Sequence, residues 1–390
     1  MEKTIKDLDI YISDGNYSSK YPRSEEFVEE GIPFIRGNNM VDGDITDDEM
    51  YYITPEKHGI LLKGHVKAGD VLITTRGNIG QVAIVSERHE DSNINAQIVL
   101  LRTNPDSLYN RYLLWALQSK RANEQYLALQ TGTALKQLPV GKLENLSITV
   151  TDINEQHYIA NILDKVYEVI KARRKELLLL DDLIKARFVE LFGNPLDKSI
   201  ANKYFVECVE FNPKKSEVKD MMDETVSFVP MECVGVDGSF TIREDGLIRD
   251  YYKGYTYFRD GDVLLAKITP CFENGKVAIA ENCTNSIGFG TTEFHVSRPI
   301  AGVSNSYWIK YMLKNNDVHD LATINMTGSA GQKRIQTPFF EKLKIYLPPI
   351  ELQNQFADFV KQVDKSKVVV QKALSETQML FDSLMQKYFG

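Results

Sequence analysis

The chain has 390 residues, of which 43% are hydrophobic and 26% are charged, and its formal net charge is −8 at pH 7. Because one hydrophobic core rarely serves more than roughly 250–300 residues, this length predicts two or more domains with ordinary globular cores. The acidic balance disfavours a chain that coats nucleic acid nonspecifically, but it leaves room for a locally basic face.

Residues 1–150 are predicted to form one mixed α/β domain, since short alternating strands are interleaved with one or two short helices and with turns rich in Gly, Asn and Asp. Within this region the segment GDVLITTRGNIGQVAIV (residues 69–85) places a polar turn between two apolar runs. Close to its end, the phrase TGTALKQL (residues 131–138) comes just before a predicted strand, LSITV (residues 146–150).

Residues 151–193 are predicted to form one long helix, because apolar residues recur there at three- and four-residue steps and Gly193 with the following Asn-Pro ends the pattern. The seam of this apolar stripe is Leu163, Val166, Ile170, Leu177, Leu180 and Ile184. About 40 residues at 1.5 Å each give a length of ~60 Å. A helix this long with a single apolar stripe is unstable alone in water, so we expect the stripe to be covered.

Residues 194–348 repeat the elements of the first domain in the same order. GDVLLAKITPCFENGKVAIA (residues 261–280) has the GDVL opening and the VAI close of residues 69–85, but a different loop between them. TGSAGQKRI (residues 327–335) begins 196 positions after TGTALKQL and again precedes a strand. This order indicates a duplicated scaffold whose loops have diverged.

A second long helix is predicted over residues 349–390. Its seam is Phe356, Val363, Val370, Leu374, Phe381 and Leu384. The two helices can cover each other as an antiparallel pair, which would also offer a docking surface for partner helices. The alternative is that each stripe packs on its own domain as an ordinary surface helix.

The motifs of several enzyme classes are missing from the sequence. There is no GxGxxG, no P-loop, no amino-methyltransferase signature and no nucleophile elbow. The four cysteines and six histidines show no zinc-site spacing, so we expect no metal, cofactor or catalytic residue in this chain. The apolar runs are far shorter than the ~20 residues that cross a bilayer, and a signal peptide's apolar centre is lacking, so we expect a cytoplasmic protein without membrane contact.

The turns between strands are rich in side chains that bind nucleic acid. Arg, Asn and Gln can hold base edges through paired hydrogen bonds, while Lys and Thr suit phosphate oxygens. The candidate DNA-binding residues of the first domain are Asn16, Tyr17, Ser18, Lys20, Arg23, Arg36, Asn38, Asn39, Arg76, Asn78, Gln81, Thr131, Thr133 and Lys136. Those of the second are Lys267, Thr269, Asn274, Lys276, Thr291, Thr292, Thr327, Ser329, Gln332, Lys333 and Arg334. Any one of them has an alternative role, because hairpin turns need Asn and Gly in any case.

Two further segments are GIPFIRGNN (residues 31–39) and PPIELQNQFADFV (residues 348–360). Together with the features above, they make the chain resemble the specificity subunit of a type I restriction-modification system over essentially its whole length. The resemblance implies an α+β (mixed α/β) fold with two target recognition domains, residues 1–150 and 194–348. Each would be followed by a long helix, residues 151–193 and 349–390, and the helices would pair as an antiparallel coiled coil.

The resemblance also implies a noncatalytic subunit whose domains each read one half of a bipartite site in double-stranded DNA. The helices would set the spacer between the half-sites and dock two methyltransferase subunits. Restriction and translocase subunits would join the complex, and these partners, not this chain, would use S-adenosylmethionine, ATP and Mg. The second domain departs from the first at VSFVPMECV (residues 226–234), where Arg36 and Asn38 have no counterparts.

Two other classes of function remain open at this point. The chain could be a standalone DNA enzyme, such as a nuclease or methyltransferase, which would be active as a purified single chain. It could also be a coiled-coil adaptor without a DNA role, which sequence-specific, salt-dependent DNA binding by the assembled complex would exclude.

Overall fold

The computed structural model describes residues 1–17, 19–132, 136–329 and 331–390, which divide into two units. Unit 1 comprises Met1–Arg174 and Lys372–Gly390, and unit 2 comprises Lys175–Gln371. Within the described ranges, no helix combines the length and the apolarity that a membrane crossing requires.

Unit 1 is built from short strands and helices around two four-stranded sheets. Its strands are β1 (Glu2–Thr4), β2 (Ile10–Asp14), β3 (Phe27–Val28), β4 (Ile32–Ile35), β5 (Met40–Val41), β6 (Asp44–Ile45), β7 (Tyr51–Ile53), β8 (Val71–Thr74), β9 (Val82–Ile84), β10 (Asn93–Ile94), β11 (Ile98–Thr103) and β12 (Ser147–Thr149). Its helices are α1 (Pro55–Ile60), α2 (Asn110–Gln118), α3 (Lys120–Leu129), α4 (Val140–Leu143) and the first part of α5 (Ile153–Phe192).

The first sheet of unit 1 is antiparallel in the order β2-β11-β8-β9, and both of its faces are covered. Val71 packs with the α2 side chains Tyr112 and Trp115 on one face, whereas Leu72 packs with Ile35 and the second sheet on the other. This double coverage explains why β8 is buried at every position, with three successive apolar residues instead of an alternating pattern. The second sheet has the order β10-β4-β7-β3, in which β10 and β4 are parallel.

Unit 2 repeats this architecture. Its strands are β13 (Lys203–Tyr204), β14 (Val209–Phe211), β15 (Thr225–Val229), β16 (Glu244–Leu247), β17 (Thr256–Arg259), β18 (Val263–Ala266), β19 (Val277–Ile279), β20 (Ile287–Gly290), β21 (Phe294–Pro299) and β22 (Lys344–Ile345). Its helices are α6 (Phe205–Cys208), α7 (Ile248–Tyr251), α8 (Ser306–Leu313), α9 (Asn316–Ile324), α10 (Thr337–Lys342), the rest of α5, and the first part of α11 (Ile350–Phe389).

The sheet β14-β21-β18-β19 has the topology of the first sheet of unit 1, and the parallel pair β15–β20 corresponds to β4–β10. The units differ at the next strand: β17 pairs with β20 over four residues, whereas unit 1 has a single bridge between His65 and Asn93. Gly288 in β20 is required by packing, because a Cβ there would clash with the ring of Phe258. The duplication predicted from the sequence is therefore present in the fold, and the second sheets of the two units differ at their edges: β17 has no full counterpart in unit 1, and β3 has none in unit 2.

Each GDVL repeat begins with a buried carboxylate. Asp70 accepts hydrogen bonds from Nε and Nη2 of Arg102, at 2.7 Å each. Asp262 accepts the same pair of hydrogen bonds from Arg298, at 2.9 and 3.0 Å. The Asp of this repeat is thus a structural residue that ties the start of one strand to the end of its neighbour.

Each long helix begins with a buried glutamine. Gln156 accepts a hydrogen bond from the backbone N–H of Tyr109 and donates to two backbone carbonyls, at 2.9–3.2 Å. Gln353 accepts from the N–H of Asn305 and also donates to two carbonyls, at 2.8–3.0 Å. Both side chains have no exposed surface. The amide of Gln156 thus joins the start of α5 to the loop before α2, and the amide of Gln353 joins the start of α11 to the loop before α8.

The two long helices pair in antiparallel fashion within each unit. In unit 1 the rings of Tyr167 and Phe381 lie 5.5 Å apart, and Arg174 further along α5 donates to Gln378 earlier in α11. In unit 2, Lys367 pairs with Asp181, and the rings of Phe188 and Phe356 lie 5.5 Å apart. The seam residues that are buried are Leu163, Ile170, Ile184, Phe356, Val363, Val370 and Phe381, and those that are half-buried are Val166, Leu177, Leu180, Leu374 and Leu384.

The same stripe also packs on the body of its unit, since Trp115 of α2 contacts both Tyr167 and Phe381. Helix pairing and packing on the domain, which the sequence offers as alternatives, occur together.

Candidate nucleic-acid interface

The repeated TGT and TGS phrases each begin a hairpin that is closed by a pair of backbone hydrogen bonds. Thr131 and Gln137 exchange backbone hydrogen bonds of 2.8 and 2.9 Å, and Thr327 and Arg334 exchange bonds of 3.0 and 2.8 Å. Gly132 has a φ of 93° and Gly328 a φ of 134°, a backbone region that other residues rarely adopt. The glycine of each phrase is therefore required by the turn.

Each hairpin is fixed against the loop between the GDVL strand and the strand that follows it. The N–H of Leu138 donates to the carbonyl of Thr75 at 2.8 Å, and that of Ile335 donates to the carbonyl of Lys267 at 2.9 Å. Arg76 bridges to Gln137 in unit 1, as Ile268 does to Arg334 in unit 2. The two loops that differ most between the repeats thus lie side by side in each unit.

In unit 1 two of the loops singled out by the sequence, residues 35–39 and 74–81, meet the segment that contains Asn95 and Gln97 at a polar cleft of about 440 Å³. The cleft is lined by Arg36, Gly37, Asn38, Thr74, Arg76, Gly77, Asn78, Gln81, Asn95 and Gln97. At its side the guanidinium of Arg76 lies 5.0 Å from the ring centre of Tyr17. Arg76 and the amides of Asn38 and Asn78 are exposed and can meet base edges or phosphates.

Arg36 is held in position at this cleft. Its guanidinium lies 3.4 Å from the ring centre of Tyr51, and its Nη2 donates to the carbonyl of Glu49 at 2.6 Å. Its Nε is buried and has no acceptor among the described residues. Stacking on an aromatic ring restricts the side chain before any ligand arrives, which lowers the entropic cost of binding.

Two candidates of unit 1 form hydrogen bonds within the scaffold. Asn39 has no exposed surface; its oxygen accepts from the N–H of Arg36 at 3.0 Å and its amide donates to the carbonyl of Asp48 at 2.9 Å. The amide of Gln81 donates to the carbonyl of Met40. The donors of Asn39 and Gln81 already hold the backbone that shapes the cleft, and a DNA contact by either residue stays a prediction.

The other candidates of unit 1 differ in exposure. Asn16 is buried at 8% exposure. The exposed candidates are Tyr17, Lys20, Arg23, Thr131 and Lys136. Ser18 and Thr133 lie outside the described residues.

In unit 2 the corresponding loops also converge. The N–H of Lys333 donates to Oγ1 of Thr269 at 3.1 Å, and the N–H of Thr269 donates to the carbonyl of Lys333 at 3.0 Å. The N–H of Lys267 donates to the carbonyl of Glu293 at 2.9 Å, which adds the segment containing Thr291 and Thr292. Exposed candidates on these loops are Asn274, Thr292, Thr327, Ser329, Gln332 and Lys333.

Three candidates of unit 2 have intramolecular roles. Arg334 pairs with the carboxylate of Glu293 at 2.9–3.2 Å, and these hydrogen bonds lower the pKa of Glu293. Nζ of Lys276 donates to the carbonyl of Met231 at 3.1 Å, and Oγ1 of Thr291 accepts from the N–H of Glu293 at 3.2 Å. A contact from any of these groups to DNA would have to replace or share an existing bond.

Sequence reasoning did not select Tyr51, Asn95 or Gln97, although all three border the interface of unit 1. Asn95 and Gln97 belong to the segment NAQIVL, which matches TTEFHV in unit 2, and that alignment was a usable signal. Tyr51 gives no such signal, because its position beside Arg36 depends on the pairing of β4 with β7.

Comparison with known proteins identifies the family. The sequence model of the type I restriction modification DNA specificity domain matches residues 3–179 and 240–377. The EcoAI and EcoEI specificity subunits of type I restriction enzymes from Escherichia coli are 38% and 43% identical over 184 and 147 residues, which are 45% and 37% of this chain. The matched regions span 30% and 24% of the length of those two proteins. The putative MjaX specificity subunit of Methanocaldococcus jannaschii is 23% identical over 376 residues, covering 88% of this chain and 84% of that protein.

Two solved structures share the fold. The type I restriction-modification S subunit from M. genitalium superposes with a TM-score of 0.57 at 17% identity, covering 100% of this chain and 96% of that one. A chain from a study of assembly and conformational transition in a type I restriction-modification system gives 0.54 at 16% identity, covering 100% and 97%. Since the two stretches that match the family model make up most of the sequence, the chain belongs to the type I restriction modification DNA specificity domain family.

Proposed function

We propose that the chain is the noncatalytic sequence-specificity subunit of a type I restriction-modification complex, with each unit reading one half of a bipartite double-stranded DNA site. The observation that carries this proposal is the pair of matching hairpins, which have the same anchors but different exposed side chains. Two copies of one scaffold that carry different side chains on their exposed loops suit two domains that read two different half-sites.

The exposed residues support a division of roles in the interface. In unit 1, Arg36 and Arg76 with the neighbouring Asn38 and Asn78 are suited to base edges, whereas Lys136 is suited to phosphate. In unit 2, Gln332 and Lys333 project from the hairpin beside the loop that contains Asn274. The different chemistry of the two sets implies different half-site sequences.

The long helices carry the second part of the proposal. Both α5 and α11 contribute residues to both units, and each presents exposed apolar side chains such as Leu178, Leu183 and Val368. These helices would set the spacer between half-sites and dock two methyltransferase subunits, and restriction and translocase subunits would join that complex in the cytoplasm. The partners would supply the S-adenosylmethionine, ATP and Mg chemistry.

An exchange experiment tests the proposal. Residues 74–81 and 131–137 of unit 1 are replaced together by those of a relative of different specificity, and the methylated sequences are mapped in cells that hold the complete system. We expect one half-site to change while the other half-site and the spacer length stay the same. Methylation that still maps to the original full sequence would refute the proposal.

The purified chain provides the control for a catalytic role. With added S-adenosylmethionine or Mg and DNA, we expect neither methylation nor cleavage by the chain alone; methylation should require the methyltransferase subunit, and cleavage should also require the restriction subunits and ATP. Activity of the chain alone would mean that it is a DNA enzyme and not a specificity subunit.

A further inference from the structure

We propose that His58, His65 and Asp91 of unit 1 form a binding site for a first-row divalent transition metal ion such as zinc. One ring nitrogen from each histidine and one oxygen of the carboxylate all lie within 4.8 Å of one another. The spacing of the histidines along the sequence predicts no such site; the fold brings them together from the end of α1, the segment after it and the loop before β10.

The hydrogen bonds of His58 leave a lone pair directed at the centre of the cluster. Its Nδ1 lies 2.6 Å from Oδ1 of Asn93. Because that oxygen can only accept, the hydrogen of the neutral ring is on Nδ1 and Nε2 is free to bind a metal. Nε2 is 3.5 Å from Oδ1 of Asp91.

His65 is oriented in the same way through its other nitrogen. Its Nε2 lies 2.6 Å from the carbonyl oxygen of Leu61, so Nε2 carries the hydrogen and Nδ1 has the lone pair. Histidines that bind metals in proteins almost always donate their second N–H to an oxygen, which fixes the tautomer and the ring orientation. Both histidines of this cluster have that second partner.

The ligand atoms, which lie within 4.8 Å of one another, must move closer together for a metal ion to bind. Two ligand atoms about 2.1 Å from a tetrahedral zinc ion are separated by ~3.4 Å, close to the His58–Asp91 separation of 3.5 Å. The side chain of Asp91 is 75% exposed and can move, while its backbone is held by a hydrogen bond of 2.9 Å from its N–H to the carbonyl of Val66. Two imidazoles and a carboxylate leave a coordination position for water, and they suit zinc better than the oxygen-seeking Mg²⁺ or Ca²⁺.

A metal ion at this position would cross-link two segments of unit 1. It would link the segment that follows α1 to the loop before β10, where unit 1 has one bridge and unit 2 has the full strand β17. The ion would thus strengthen a sheet edge at which the two repeats differ. This role is independent of the DNA-reading function proposed above.

The test uses the purified full-length chain, stripped with a chelator and titrated with zinc ions alone in a calorimeter. We expect one equivalent to bind with a dissociation constant in the micromolar range or below, and the melting temperature of unit 1 to rise with zinc concentration. His58→Gln and His65→Gln should each weaken binding by about 10-fold or more.

Asp91→Asn is the most informative variant. Asp91 has a φ of 60°, which Asn also tolerates, so the substitution removes the charge while it preserves the turn. We expect it to weaken zinc binding without lowering the melting temperature of the zinc-free protein by more than a few degrees.

His157→Gln is the matched control, because this exposed histidine lies against the ring of Tyr109, away from the cluster. It should leave zinc affinity unchanged. If the wild-type chain does not bind zinc, or if His157→Gln weakens binding as much as His58→Gln does, the cluster is a plain ion pair between His58 and Asp91 and the proposal is wrong.

Discussion

Arg334 directs Nε and Nη2 at the carboxylate of Glu293, with N–O distances of 2.9–3.2 Å, while the neighbouring Lys333 is exposed. Two adjacent basic residues of the same hairpin therefore have different roles. Arg334 fixes the hairpin to the segment before β21, and the charge of Lys333 remains available to a ligand.

Lys333→Ala should weaken the binding of the assembled complex to all DNA sequences by a similar factor. It should also reduce the slope of log affinity against log salt concentration by about 1, as expected for the loss of one phosphate contact. Binding titrations at several salt concentrations measure both quantities. A changed base preference would mean that Lys333 reads a base edge, and unchanged binding would remove it from the interface.

Arg334→Ala should act mainly on stability. It leaves Glu293 without its partner, and because both side chains are partly exposed we expect only a small loss in the free energy of unfolding of unit 2, but a larger one than Lys333→Ala causes. Denaturant titration of the purified chain measures this, with Lys333→Ala as the control that should change stability by less than ~0.5 kcal/mol. Equal stability of the Arg334→Ala and Lys333→Ala variants would contradict a structural role for Arg334 that Lys333 does not share.

Gln353→Ala should destabilise unit 2 by roughly 2–3 kcal/mol, because it leaves the N–H of Asn305 and two carbonyls buried without a partner. Gln353→Glu should be no better, since a carboxylate accepts from that N–H but cannot donate to the carbonyls. Thermal unfolding compares these variants with Gln362→Ala, a substitution at an exposed position of the same helix. A loss as small as that of Gln362→Ala would show that the helix start does not depend on this amide.

Asp70→Asn should lower the free energy of unfolding of unit 1 by roughly 2 kcal/mol, because Asp70 is buried and its removal leaves the charge of Arg102 uncompensated. The matched control is Asp223→Asn, whose carboxylate pairs with Arg249 in an exposed position. Exposed pairs contribute little, so the control should change stability by less than ~0.5 kcal/mol. Similar losses in the two variants, measured in denaturant, would be inconsistent with a structural role for the GDVL aspartate.

Acid should destabilise unit 2 through His295. This ring is neutral and buried, with Nε2 donating to the carbonyl of Ile335, and burial lowers the pKa of His295 to about 4. Between pH 6.5 and 4 the unfolded chain therefore binds a proton that the folded chain does not, so stability falls as the pH falls, by up to ~3 kcal/mol for this group. Unfolding at several pH values should show a shallower dependence for His295→Gln and an unchanged one for His157→Gln.

Elements with a strong local pattern could be predicted from the sequence. The two long helices follow from their apolar periodicity, and the equivalence of the two loops follows from the repeated phrases, because both signals are carried by the residues of the segments themselves. The function of Asp70 in its GDVL segment could not be predicted, since its partner is 32 residues away on another strand. The same limit applies to Tyr51 under Arg36 and to the pairing of Arg334 with Glu293.

The sequence indicates which loops are candidates for the interface, but it does not indicate which of their side chains are exposed. Asn38 and Asn39 are adjacent in the sequence and chemically identical, yet Asn38 is exposed and Asn39 is buried. Only the backbone turn after β4 decides which amide faces solvent, and single-sequence patterns do not resolve a turn to one residue.

The division of the long helices between the units has a consequence for biosynthesis. The core of unit 1 includes Phe381 and Phe389, and the latter ring lies 5.0 Å from that of Tyr112. A ribosome makes these residues only after all of unit 2, whose own residues form one continuous stretch. Domains usually fold in the order of their synthesis. Here unit 2 can complete its core first, whereas the apolar stripe of α5 in unit 1 stays uncovered until the end of α11 has been made. Chaperone contact with the nascent chain should therefore centre on residues 153–174 until translation passes residue 390.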